Sequence, residues 1–263
     1  MSRILDNQPP QTFRRKSKKI RKKKTGFKHV LMVSALSLFL LVLFSGFIGA
    51  GFIFFYYSQD LPDVRTLKAY QPSTITRLYS DADDLIAEFY IEKRILVPLK
   101  KMPAQLKQAT LAVEDSNFYS HFGIDLKAIF RAFLTNIQAG HVVEGGSTIT
   151  QQLSKTLFLS SKRSLERKIR EAILSVRMEL VFTKDEILEM YLNNIYYGHG
   201  SYGVEAAART YFGKHVEELT LEQCATLAAL PKAPNNYHPY DDTERALDRR
   251  NWVISRMAAN GYI

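Results

Sequence analysis

Between residues 30 and 57 the chain has no charged side chain, and this stretch, VLMVSALSLFLLVLFSGFIGAGFIFFYY, limits what the remainder can be. About 20 apolar residues in a helix cross the hydrocarbon of a bilayer, so the run is long enough with room for tilt. A cleaved signal peptide would have an apolar region of about 7–15 residues ending in small side chains. This run is longer and ends in Tyr56 and Tyr57, aromatic residues suited to a membrane–water boundary. An uncleaved transmembrane helix is therefore expected at 30–57. RRKSKKIRKKK precedes it, and Asp60 and Asp63 follow it. That asymmetry predicts a cytoplasmic N-terminus and an extracytoplasmic segment 58–263.

The same basic flank accounts for the net charge of +10, which at first sight suggests nucleic acid. Residues 1–29 carry eleven Lys or Arg against one acid, Asp6, and leave 25 of the 36 bases facing 25 of the 26 acids in the rest of the chain. Juxtamembrane bases meet anionic lipid, so membrane lipid is the expected partner of the tail and no nucleic acid is. The single cysteine, Cys224, excludes an intramolecular disulfide. It lies in the amphipathic run TLEQCATLAAL with no base within a helical turn, and reads as a buried, inert thiol.

After the anchor, residues 58–72 have two prolines and no clear period, which predicts a linker. The runs 74–79 and 85–91 are β-branched and aromatic, with the polar SDADD between them, and predict a β-hairpin. From Pro103 onward the pattern is helical. Helices are expected at 104–115 and at 125–139, where Ile129, Phe133 and Ile137 stand four apart before Gly140. Thr183 with Glu186 and Thr220 with Gln223 form capping-box pairs, and 242–259 reads as a last helix. The expected organisation is a basic tail 1–29, a transmembrane helix 30–57, linker and hairpin 58–94, and a mainly α domain 95–263.

Three segments are polar where a plain core helix would not be. In the first, Glu114 and Asp115 close an apolar helix and are followed by Phe118, His121 and Gly123. Carboxylates at a helix C-terminus oppose the dipole, which raises their pKa and suits proton uptake. The alternative is a local cap or ion pair. In the second, GGSTITQQLSK at 145–155, two glycines precede Ser147 and Thr148 at a helix start. Its N–H groups would favour an anion, or Ser147 or Thr148 is an ordinary N-cap. Gln151 and Gln152 are costly to bury unpaired, and a sugar could supply their partners. In the third, KRSLERKIRE at 162–171, Arg167, Arg170 and Glu171 share one helix face, with Leu165, Ile169, Ala172, Ile173 and Val176 opposite. A solvated salt-bridged face and a diphosphate site fit that run equally.

These segments, with KDEILEMYLN at 184–193, resemble the ordered motifs of the peptidoglycan glycosyltransferases, glycosyltransferase family 51. The family patterns EDxxFxxHxG, GGSTITQQxxKN, RKxxE and KxxILxxYLN all occur here in that order, with Thr156 in place of the Asn. The stretches 194–214 and 227–234 are similar to the family too, so the resemblance covers about residues 95–263. The linker and hairpin resemble the start of a class A penicillin-binding protein of the 1A kind. Such proteins continue into a transpeptidase domain, yet no Ser-x-x-Lys occurs in this chain. The sequence is therefore expected to be a fragment of such a protein, with a monofunctional relative as the alternative.

The resemblance implies a lysozyme-like, two-lobed helical fold with its smaller lobe against the membrane of a bacterium. It implies polymerisation of lipid II by a growing glycan strand held on undecaprenyl pyrophosphate. Glu114 would be the general base for the GlcNAc 4-hydroxyl of lipid II, and Asp115 would support it. The oxygen would attack the anomeric carbon of the donor MurNAc with inversion, releasing the lipid diphosphate. Lys155, Arg163, Arg167 and Arg170 would neutralise that leaving group, and Ser147, Thr148, Gln151 and Gln152 would bind substrate. Glu171 is the second catalytic carboxylate of the family; it either positions the cations or holds a divalent metal, Mg or Mn, near the diphosphate. The implied partners are lipid II, the glycan strand, membrane lipid and other cell-wall synthesis proteins. A glycan hydrolase of similar fold needs an acid for the leaving oxygen and no diphosphate site, so the basic run 163–170 argues against it. A non-catalytic membrane scaffold is the other rival, under which replacing Glu114 would be silent.

Overall fold

The structure, a computed structural model, describes residues 25–69, 76–89, 93–160, 162, 164–237 and 239–263. Its first helix, α1 (Thr25–Ser58), contains the apolar run and is the one described helix long and apolar enough to cross a membrane. Residues 53–263 form a compact unit of their own.

A short 3-10 helix (Val64–Ala69) leads to the hairpin of β1 (Thr76–Tyr79) and β2 (Leu85–Phe89), paired antiparallel. The expected hairpin is therefore present; the outer ends of its predicted strands, 74–75 and 90–91, lie outside the described residues. β3 (Lys93–Arg94) then pairs in parallel with β4 (Ser201–Tyr202), a small clasp across the domain. The rest is helical: α2 (Ala104–Glu114), α3 (Leu126–Ala139), α4 (Ile149–Phe158), α5 (Leu165–Val181), α6 (Lys184–Asn194), α7 (Val204–Phe212), α8 (Leu221–Ala229), the single turn α9 (Pro234–Tyr237) and α10 (Thr243–Ala259). The fold is mainly α, as the sequence indicates.

Local chemistry sets the helix ends. Asp125, Ser164 and Asp242 cap α3, α5 and α10 by accepting from backbone N–H groups. Thr148, Thr183 and Thr220 begin α4, α6 and α8 with complete capping boxes. Gly140 ends α3 in the left-handed conformation that only glycine adopts without strain.

Two clusters of buried residues make the core. The larger joins α2, α4, α5, α6 and α7 through Leu106, Ile149, Leu153, Leu174, Leu188, Tyr191 and Val204. The smaller is lined by small residues, with Ala109 and Ala112 of α2 against Ala225, Ala228 and Ala229 of α8 and Val253 and Met257 of α10. Alanine contacts let three helices approach closely, which brings the end of α2 beside α10. Cys224 is fully buried, and burial pushes its thiol up to about 12, in line with the expected inert role.

α5 departs from its sequence reading. Its buried stripe is Glu171, Leu174, Ser175 and Met178, with Ile173 alongside, while Leu165 is exposed. The acid expected on a solvated or ligand-facing side therefore sits on the core side, and Leu165, expected opposite it, does not pack.

Candidate active site

Glu114 is the last residue of α2 and Asp115 its C-cap, and the chain sends the two carboxylates in different directions. Asp115 is buried. Both its oxygens lie at 2.9–3.0 Å from Nε2 of the buried His121 side chain, and Oδ2 also accepts from the Ile149 N–H at 3.0 Å. The helix start at Thr148 does attract an anion, but that anion belongs to the protein. The Gln151 N–H donates to Thr148 Oγ1, and Gln151 Oε1 accepts from the Thr148 N–H. Gln151 is thus buried as a structural cap, and the N–H groups of Ile149 and Gln151 are already occupied.

The rest of the first motif supports this arrangement. Phe118 is in the core. Gly123 has φ +81 and passes so close to α5 that a Cβ would come within 2.9 Å of the Ser175 carbonyl. Its own carbonyl accepts from Thr148 Oγ1 at 2.7 Å. Lys184 ties the fourth motif to this region, with its Nζ 4.5 Å from the Phe118 ring centre and 2.7 Å from Glu179.

Glu114 instead faces a cleft of about 740 Å³ and is half-buried in its wall. Ser147, Thr148 and Gln152 line the same space, as do Arg131 and Thr135 of α3 opposite. The loop 140–146 folds back on α3, with Asn136 Oδ1 accepting from the N–H groups of Val143 and Glu144. Gly146 lies where a Cβ would be 2.9 Å from Ile129 Cα. Gln152 Nε2 donates to Glu114 Oε2 at 2.8 Å, and Tyr191 donates to Gln152 Oε1 at 3.3 Å. A chain of three side chains thus fixes the carboxylate, and within the protein Gln152 is satisfied by Glu114.

Burial raises the pKa of Glu114 above its ordinary value of 4.5, against the Gln152 hydrogen bond and the charges of Arg249, Lys232 and Lys155, which lower it. The direction matches the sequence argument; the leading cause is desolvation.

The basic helix α5 is organised around Glu171. Arg167 and Lys168 each lie 2.9 Å from a different oxygen of this buried carboxylate. Lys168 Nζ also donates to Ser147 Oγ at 2.7 Å, which joins this charge cluster to the cleft wall. Arg170 pairs with Glu166 at 3.0 Å instead, and Arg163 lies outside the described residues. Arg167, Arg170 and Glu171 are not among the residues lining the cleft. Arg167 and Arg170 each keep a buried Nε–H without a partner among the described residues. Lys168 thus holds Oε2 of Glu171, while Oε1, although 2.9 Å from Arg167 Nη1, has no hydrogen-bond partner among the described residues. Among the described residues no cluster of three His, Cys, Asp or Glu could hold a metal ion.

Sequence reasoning missed part of the cleft. Lys232, Arg249, Trp252 and Arg256 line it beside Glu114. The Arg249 guanidinium lies 3.9 Å from the Trp252 ring centre and 5.4 Å from that of Tyr237. The signal was present, since positions 249, 252 and 256 share one face of α10 at three- and four-residue spacing.

Comparison with known proteins settles the family. A sequence model described as Transglycosylase matches residues 82–258, well over half of the chain. The chain belongs to the transglycosylase family. All four motifs fall within the matched span, and the domain is an enzyme domain of the glycosyltransferase class expected from them. Penicillin-binding protein 1A of Aquifex aeolicus (strain VF5) is 52% identical over 205 residues, covering 78% of this chain and 28% of that protein. Penicillin-binding protein 1A of Escherichia coli (strain K12) is 48% identical over 219 residues, covering 82% and 26%. The crystal structure of penicillin-binding protein 1A from Haemophilus influenzae is similar at 31% identity and a TM-score of 0.43, over 74% of this chain and 19% of that one. The chain thus spans little more than a quarter of the curated relatives it matches, and its similarity to them is to that portion alone.

Proposed function

We propose that this transglycosylase domain, residues 95–263, polymerises lipid II into glycan strands from the outer face of a bacterial inner membrane. α1 would be its single-pass anchor and the basic tail would lie in the cytoplasm. The observation that carries the reading is Glu114: a carboxylate with raised pKa, half-buried in a cleft and held by Gln152, with cations nearby. Such a group is well matched to removing a proton from a sugar hydroxyl near neutral pH.

In this reading the acceptor GlcNAc 4-hydroxyl gives its proton to Glu114 as its oxygen bonds to the anomeric carbon of the donor. The bond from that carbon to the lipid diphosphate breaks, and configuration inverts from α to β. Negative charge accumulates on the departing diphosphate, where preorganised cations lower the barrier most. Lys155, whose charge acts on Glu114, and Lys168, fixed by Glu171 and by Ser147 of the cleft wall, are assigned to it. Ser147, Thr148 and Gln152 form the cleft wall that substrate would meet, and Asp115 holds the α4 start against the end of α2.

α3 lines the cleft through Ala128, Arg131 and Thr135, and the apolar face on its other side is in keeping with a lipid-linked substrate. Leu126, Phe130, Phe133 and Ile137 are all exposed there, an arrangement suited to the surface of a bilayer.

The test is glycan synthesis from purified lipid II by the wild-type chain and by Glu114→Gln. Loss of base catalysis should lower turnover by about 10²–10⁴-fold with the melting transition preserved. A folded Glu114→Gln that polymerises at the wild-type rate would overturn the base assignment. Cleavage of preformed glycan with no chain growth would make the domain a hydrolase.

A further inference from the structure

A second cavity, of about 610 Å³, lies between the segment after α1 and the last turns of α5 and shares no residue with the catalytic cleft. We propose that it binds the phosphate headgroup of an anionic phospholipid. The proposal rests on reading α1 as a membrane anchor.

Its location follows from that reading. The apolar helix ends at Ser58, one residue after Tyr56 and Tyr57, whose rings pack edge-on at 5.1 Å. Aromatic residues at the end of a span mark the headgroup level. Arg177 of α5 donates from Nη2 to the Ser58 carbonyl at 3.1 Å, which fixes a guanidinium at that depth. Among the described residues this is the one hydrogen bond made by its side chain, so further donors of the planar fork are left.

The cavity lining combines the two chemistries that a phospholipid presents. Leu61, Val64 and Val181 give an apolar floor, and Leu180 stands 72% exposed at the rim. Arg65 supplies the second guanidinium, with its side chain 79% exposed. The single acid in the lining, Asp63, is 3.8 Å from Arg65 Nε and already accepts from the Arg65 N–H at 2.9 Å as the cap of its own turn. Two guanidinium groups against one engaged carboxylate leave the site cationic. Arginine forks match phosphate oxygens in pairs, and the volume lies within the usual range for a small-molecule pocket. An acyl chain leaving the glycerol would continue over Leu180.

The experiment uses the full chain, purified in mild detergent and exchanged into lipid, with bound lipid identified by native mass spectrometry. Wild type should retain phosphatidylglycerol in preference to phosphatidylcholine. Arg65→Gln, at an exposed position where folding is not at stake, should lower that retention about fivefold, and the double variant with Arg177→Gln further. Polymerisation at saturating lipid II should be unchanged in Arg65→Gln. Equal retention of the two lipids by wild type, or unaltered retention in both variants, would overturn the proposal. A raised KM for lipid II in Arg65→Gln would overturn it in favour of a route for the substrate. Vesicle flotation separates the layers of the argument: variants that float but lose lipid support the site, whereas a wild-type chain that fails to float removes the anchor reading and the site with it.

Discussion

Two amphipathic helices of this chain, α8 and α3, have similar sequence character and opposite surroundings. α8 buries Cys224, Ala225, Leu227, Ala228 and Ala229 against α2 and α10. α3 carries larger apolar residues at helical spacing, yet Ala132 is the one residue it buries. The comparison separates two uses of one pattern. The small face of α8 sets how closely helices approach, and so where Glu114 stands. Among the described residues no protein covers the large face of α3, and under the proposed function a bilayer would remove the cost of exposing it.

The contrast can be broken at several places. The largest stability effect is expected in the buried helices: Leu174→Ala, at a site with no solvent exposure, should cost about 2–5 kcal/mol in chemical denaturation. Asp115→Asn should come next. It removes the charge that holds His121 and the Ile149 N–H, and should cost about 1–3 kcal/mol together with a large loss of turnover. On α3, Phe130→Ser or Phe133→Ser should change stability by less than about 0.5 kcal/mol, since neither residue packs. The same variants should polymerise lipid II in vesicles more slowly than wild type. A stability loss like that of Leu174→Ala would mean that α3 packs in the protein after all.

A smaller and more diagnostic effect concerns Glu114 itself. Its pKa is raised by burial, so its contribution to stability is present below 4.5 and is lost as pH rises through the folded-state value. Glu114→Gln carries no charge and escapes that loss. The variant should therefore melt at a higher temperature than wild type near neutral pH, with the gain vanishing in acid. A lower melting temperature at pH 7 would make Glu114 a structural residue.

How much of this was legible in the sequence depended on the range of the interaction. The helix starts were legible because a capping box such as Thr183 with Glu186 lies within four residues. The direction of the Glu114 shift was legible, but its main cause was not, since burial depends on α4, α6 and α10 closing around the end of α2. The α4 start left an anion site and an ordinary N-cap both open, because nothing local announces that Asp115, 34 residues earlier, accepts from its Ile149 N–H. Glu171 looked like part of a solvated face for a similar reason: the period of α5 shows which residues share a side but not which side meets the core. Arg249 and Trp252 were overlooked because their meaning lies in the distant residue they adjoin.

The most direct test of the account is the pH dependence of glycan polymerisation by the wild-type chain. A half-buried carboxylate of raised pKa acting as base gives a rate that rises with pH through an acid limb, with its midpoint above 4.5. A midpoint at or below that ordinary value, or a rate flat through the acid range, would contradict it.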